Sequence, residues 1–231
     1  MPTLSQRTCC AALVTLLLSA PIAIAQDPPE LPEQYRDPID LMAEVLGTYA
    51  FEISSDSAEA QDFFNQGMQL MFAFAKADAV RSFREAWKRD PNCAICYWGE
   101  AWAWGSYLNG PMRPPEAPHA YSAAQQARRL SEVHANAKER AYIDALSVRY
   151  VENFEVDKRR DQDEAYAEAM RLLVDRFPDD LDATTLYGDA LFLLEPRRGT
   201  RDLNDPRVQR LHAVLESVLE RDIKHPGACH L

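Results

Sequence analysis

Between Gln61 and Pro91 the apolar positions recur with the period of an α-helix, in two runs that meet near Ala75-Lys76-Ala77-Asp78. Phe63, Gly67 and Leu70 fall at i, i+4 and i+7 in the first run, and Ala79, Phe83 and Ala86 repeat that spacing in the second. Pro91 follows the last turn, where a helix cannot easily continue. The pattern recurs along the chain. Further first-helix triplets are Tyr97/Ala101/Trp104, Ala141/Ala145/Val148 and Thr184/Gly188/Leu191. Second-helix triplets are Ala120/Ala124/Ala127, Tyr166/Met170/Leu173 and Leu211/Leu215/Val218. Leu108–Pro118, Val151–Asp157 and Glu195–Asp205 interrupt the pairs with turn residues and prolines. The expected fold is therefore all-α: about four antiparallel helix pairs over residues 58–224, stacked into a solenoid.

Small residues at Gly67, Ala79 and Ala86 let two helix backbones approach, with Phe83 filling the space between them. Phe63, Gly67, Leu70, Ala79, Phe83, Ala86 and Pro91, in that order, resemble the signature of one tetratricopeptide repeat (TPR) of ~34 residues. Gly67 to Ala101 keeps that period, whereas the next two intervals are longer by a loop. LGTYAFEIS, EAQDFFNQG, RSFREAW, DPNCAICYWGEA and HPGACHL are similar to segments of a group of exported bacterial TPR proteins, a resemblance that implies no established activity.

Residues 1–25 read as a signal peptide. Arg7 gives a positive start, Ala11–Ala20 is an apolar run too short to span a bilayer, and Ala23-Ile24-Ala25 is a small-x-small cleavage pattern before Gln26. Cys9 and Cys10 precede the apolar run, which argues against a lipid anchor. The expected location is periplasmic or secreted, with no membrane insertion after cleavage. Residues 26–57 form a lead-in carrying Pro28, Pro29, Pro32 and Pro38, followed by a short alternating segment, Tyr49-Ala50-Phe51-Glu52-Ile53, before Asp56 or Ser57 caps the first helix. Residues 225–231 read as the first turn of a further, interrupted repeat, as in a piece of a longer protein. With 25 Lys+Arg against 36 Asp+Glu and a net charge of −11, the chain repels nucleic acid, which requires clustered basic residues.

Candidate chemistry is sparse. Cys93-Ala94-Ile95-Cys96 fits a structural disulfide, a redox-active pair at a helix start, or half of a metal site whose remaining ligands would be Cys229, His225 or His230. Haem attachment would need His where Tyr97 stands. His119, His134 and His212 are isolated, no Gly-rich phosphate loop is present, and no cofactor or catalytic set is expected.

The resemblance implies that first helices line a concave face. Carried onto this chain, its lining is Phe64, Met68, Phe72, Trp98, Trp102, Tyr142, Leu146 and Tyr150. Phe64 and Met68 stand where chaperone-binding relatives need a Lys/Asn clamp for a peptide carboxylate, so an apolar or extended peptide fits better. Two occupants suit such a groove: a protein or peptide partner, or the chain's own Tyr49–Ile53. The expected function is a non-catalytic interaction scaffold, and the alternative is a thiol-disulfide or other enzyme using Cys93/Cys96 or a missing C-terminal region.

Overall fold

A computed structural model describes residues 30–42, 44–196 and 201–231, which contain nine α-helices and no β-strand. Residues 1–25, expected to be a signal peptide, and Pro28 and Pro29 lie outside the described residues. In chain order the helices are α1 (Ala58–Phe72), α2 (Lys76–Arg89), α3 (Ala94–Trp104), α4 (Ala117–His134), α5 (Ala137–Ser147), α6 (Arg159–Arg176), α7 (Leu181–Leu193), α8 (Pro206–Leu219) and α9 (Pro226–His230). Each packs on the next, α3 also touches α1 and α5, and α9 returns to touch α1 as well as α7 and α8. The fold is a helical-repeat-like all-α array curled until its last helix meets its first.

The small-residue pattern explains the pairing. A Cβ on Gly67 would stand 2.7 Å from the Phe83 ring, and one on Gly99 of α3 only 2.3 Å from it. Phe83 is thus held between α1 and α3 by two missing side chains. α7 and α8 repeat the device with other residues, since a Cβ on Gly188 would lie 2.5 Å from Leu215. Ala79, Phe83 and Ala86 are fully buried, and Ala120/Ala124/Ala127, Tyr166/Met170/Leu173 and Leu211/Leu215/Val218 are buried as the spacing predicts. The α5 triplet is a correction. Val148 lies past the helix end and is exposed, and Tyr142, Ile143 and Leu146 carry the inward face instead.

Helix starts follow capping chemistry. Ser57 Oγ accepts from the Ala60 N–H, Asn136 Oδ1 from Lys138 and Glu139, Asp180 Oδ1 from Ala183, and His225 Nδ1 from Ala228. Cys93 Sγ plays the same part for Cys96. These caps begin α1, α5, α7, α9 and α3, whose amino ends meet the lead-in side of the array. α1 closes with the Ala75 N–H on Leu70 O, which places Phe74 at φ 61°, a left-handed conformation normally left to glycine. Its ring stacks on His230 at 4.1 Å.

Two buried ionic clusters fix the loops inside the second and third pairs. Glu116, ahead of α4, accepts from Tyr35 Oη (3.1 Å), Lys76 Nζ (3.0 Å), the Arg113 N–H (2.7 Å) and Arg113 Nη2 (2.9 Å). In the second cluster Arg149 has no exposed surface; it donates to Ser106 O at 2.6 Å and faces Asp163, which Arg159 also binds. Among the described residues, no helix is long and apolar enough to cross a membrane.

Glu116 yields a pH-dependent expectation. Burial by itself raises its pKa, but the Arg113 donors and Lys76 outweigh burial and hold the carboxyl below its usual range. A depressed carboxylate pKa contributes stability that is present above the ordinary glutamate range and is lost as pH falls through the folded value. Glu116→Gln leaves Lys76 buried opposite a neutral amide, so it should cost about 3–5 kcal/mol at neutral pH. Urea unfolding should show the gap between native and variant chains narrowing below about pH 4. A gap that stays constant with pH would remove Glu116 from this role.

Candidate functional site

The lead-in crosses the array before entering it. Tyr35 packs on Trp104 with ring centroids 4.3 Å apart, and the Met42 N–H donates to Gln66 Oε1 at 2.7 Å. Gln66 Nε2 returns a bond to Asp40 O at 3.1 Å. From Tyr49 to Ile53 the backbone is extended and runs antiparallel to α1, inside the curl of helices.

An extended segment among helices has no neighbouring strand to pair with, yet its buried amides and carbonyls still require partners. Side chains of α1 supply them. Gln69 Nε2 donates to Tyr49 O (3.3 Å), and the Phe51 N–H donates to Asn65 Oδ1 (2.9 Å). Gln61 Nε2 donates to Phe51 O (2.8 Å), while the Ile53 N–H donates to Gln61 Oε1 (3.0 Å). Gln61, Asn65 and Gln69 stand at i, i+4 and i+8, so they form one stripe along α1. The next amide, Ser54 N–H, donates to Glu139 Oε1 at 2.7 Å; the other oxygen of that carboxylate accepts from the Asn136 N–H in the α5 capping box.

Alternate side chains point into the helices. Phe51 is 2 % exposed, with ring centroids at 5.5 Å from Phe64, 6.3 Å from Trp98 and 5.4 Å from Tyr142; Lys138 Nζ lies 5.3 Å over its face. Tyr49 lies edge-on to Phe72 (5.6 Å) and His225 (5.8 Å), and its hydroxyl donates to Asp182 Oδ1. Burial, reinforced by Asp182, pushes the Tyr49 pKa well up, so the phenol keeps the proton it donates. The Ala228 N–H donates to His225 Nδ1 (3.3 Å), so the ring proton sits on Nε2 and is donated to Asp182 Oδ1 at 3.2 Å. One carboxylate from α7 thereby ties Tyr49 to the cap of α9. Ala50 and Glu52 are exposed.

The eight residues expected to line an open groove are all buried, none more than 5 % exposed. Phe64, Trp98 and Tyr142 surround Phe51, and Phe72 and Trp102 continue the ring contacts. Tyr150 instead donates to Ala101 O at 2.7 Å beside the Arg149 cluster, and Met68 and Leu146 complete the core. Of the two occupants the pattern allowed, the chain's own segment is in place. Cys93 and Cys96 form a disulfide in the first turn of α3, with both residues buried. Gln61, Asn65, Gln69 and Asp182 fall outside the packing triplets and the expected lining. A row of carboxamides beside the packing stripe was the available signal. Among the described residues, no three His, Cys, Asp or Glu side chains are grouped as metal ligands.

If Asn65 satisfies the buried Phe51 amide, Asn65→Ala should destabilise the chain by about 1–3 kcal/mol and raise the hydrogen-exchange rate of that amide selectively. An unchanged rate at Phe51 would show that the contact is dispensable. No family model matches the chain, and no curated protein or solved structure does.

Proposed function

We propose that the chain is a TPR-like scaffold of the bacterial cell envelope, whose concave channel holds an extended protein segment, with Tyr49–Ile53 as its resident occupant. The row Gln61, Asn65, Gln69 carries this reading. Those carboxamides bond to backbone atoms, which every peptide has, so their chemistry suits any extended chain that lays an aromatic side chain among Phe64, Trp98 and Tyr142. The repeated close approaches of Gly67 to Phe83 and Gly188 to Leu215 support the helix-pair repeat. The oxidoreductase alternative draws less support, because both Cys93 and Cys96 are buried away from a protein substrate.

The test is selection of displayed random peptides on the whole chain carrying Phe51→Ala, which frees the aromatic box. Enriched peptides should contain an aromatic residue and lose binding when Asn65→Ala is added. Recovery of no peptide, or of peptides indifferent to Asn65, would remove the channel as a binding site.

Export belongs to the same proposal and rests on the pattern of Arg7, Ala11–Ala20 and Ala23-Ile24-Ala25. N-terminal sequencing of protein from the producing cell's envelope should begin near Gln26. A start at Met1 in cytosolic protein would refute it.

A further inference from the structure

Building on the peptide-channel reading, we infer that Tyr49–Ile53 is an exchangeable self-ligand, and that a partner segment displacing it carries the same pattern, tyrosine–x–phenylalanine–x–aliphatic, antiparallel to α1. The pattern follows from the positions the channel reads. Phe51 enters an aromatic box with a lysine ammonium over its face. Two residues before it, the Tyr49 hydroxyl meets a carboxylate that His225 already orients. Two residues after it, Ile53 is half-buried on the core. Ala50 and Glu52 face solvent, and the channel leaves those positions unspecified.

Exchange follows from how the segment is held. No strand ladder grips it, and the bonds to its backbone come from side chains that can release one at a time. Open space flanks its amino-terminal end, Tyr49 and Ala50, on both sides. A cleft of about 900 Å³ lies between Leu46–Ala50 and the Asp182, His225 and His230 side, and another of about 290 Å³ lies between Leu46–Ala50 and Asp62, Asn65 and Gln66. The connection to α1 is short and polar, with Ser54 and Asp56 exposed. A tether of this length gives the resident segment an effective concentration of order millimolar, so a free segment competes only when the resident is weakened or the partner presents its segment at high local concentration. The channel is thereby guarded against weak ligands.

A specific protease site inserted at the exposed Asp56 of the full chain, and cut after folding, converts the tethered occupant into a free one. The amino-terminal piece should stay bound, and an excess of the peptide Gly-Thr-Tyr-Ala-Phe-Glu-Ile-Ser-Ser should displace its Tyr49–Ile53 segment from the channel. The same peptide with Ala for Phe should need at least about tenfold more, since a single buried aromatic anchor carries such differences. Equal potency of the two peptides would overturn the pattern and leave a peptide channel standing. A piece that departs while neither peptide takes its place would overturn the channel reading itself. A Tyr49–Ile53 segment that no excess displaces, or whose release abolishes the helical circular dichroism, would show a fixed core element and overturn exchange. The uncut Phe51→Ala chain gives an independent measurement: it should bind the labelled peptide at least about tenfold more tightly than the native chain. Equal binding would overturn self-occupancy.

Discussion

An extended segment half-buried without a sheet is the constraint on which the arrangement depends. Each unpartnered buried amide or carbonyl costs about 1–3 kcal/mol, so helices can surround an extended segment only if their side chains take over the work of a neighbouring strand. Here α1 does so with Gln61, Asn65 and Gln69, and the α5 capping box lends Glu139. The apolar contacts then become possible. Phe51 can sit among Phe64, Trp98 and Tyr142 because its own backbone is satisfied. Without the carboxamides the aromatic box would be a cavity that the chain could not afford to enter.

The two buried ionic clusters serve a different end. Burying charge is poor value for stability alone, since well-packed apolar groups often do as well. Glu116 binds the lead-in through Tyr35, the start of α2 through Lys76, and its own loop through Arg113. Arg149 joins the carbonyl of Ser106 to Asp163 of α6. Both clusters stand at the long insertions between helices, where periodic packing gives no register. A charge that must find one partner specifies those connections.

Helix pairs were legible because their cause is local. Gly67 and Phe83 belong together wherever two helices cross closely, and the spacing on each helix states it. The α5 register was not legible, because Ala141, Ala145 and Val148 satisfy a small-residue pattern as well as the true inward face does, and only the neighbouring helices choose Tyr142 and Leu146. Gln61, Asn65 and Gln69 read as an ordinary solvated stripe until the lead-in is laid upon them. Asp182 and His225 are brought to Tyr49 by the curl of the whole array, which no local pattern encodes. Of the residues expected to line a groove, Phe64, Phe72, Trp98 and Tyr142 meet Tyr49 or Phe51, whereas Tyr150 belongs beside the Arg149 cluster.

Tyr49 touches Phe72 and Gln69 of α1 on one side and the α7 carboxylate and α9 cap on the other. Its seat therefore exists only after nearly the whole chain has been made. The lead-in is synthesised ahead of α1–α9, yet its seat needs contacts from both ends of the array. Helix pairs can form locally and early, while this closure spans the longest separations in the fold and is slow for that reason. In the interval an aromatic, extended stretch is left uncovered beside an unfilled channel, which is the circumstance in which two newly made copies can trade segments.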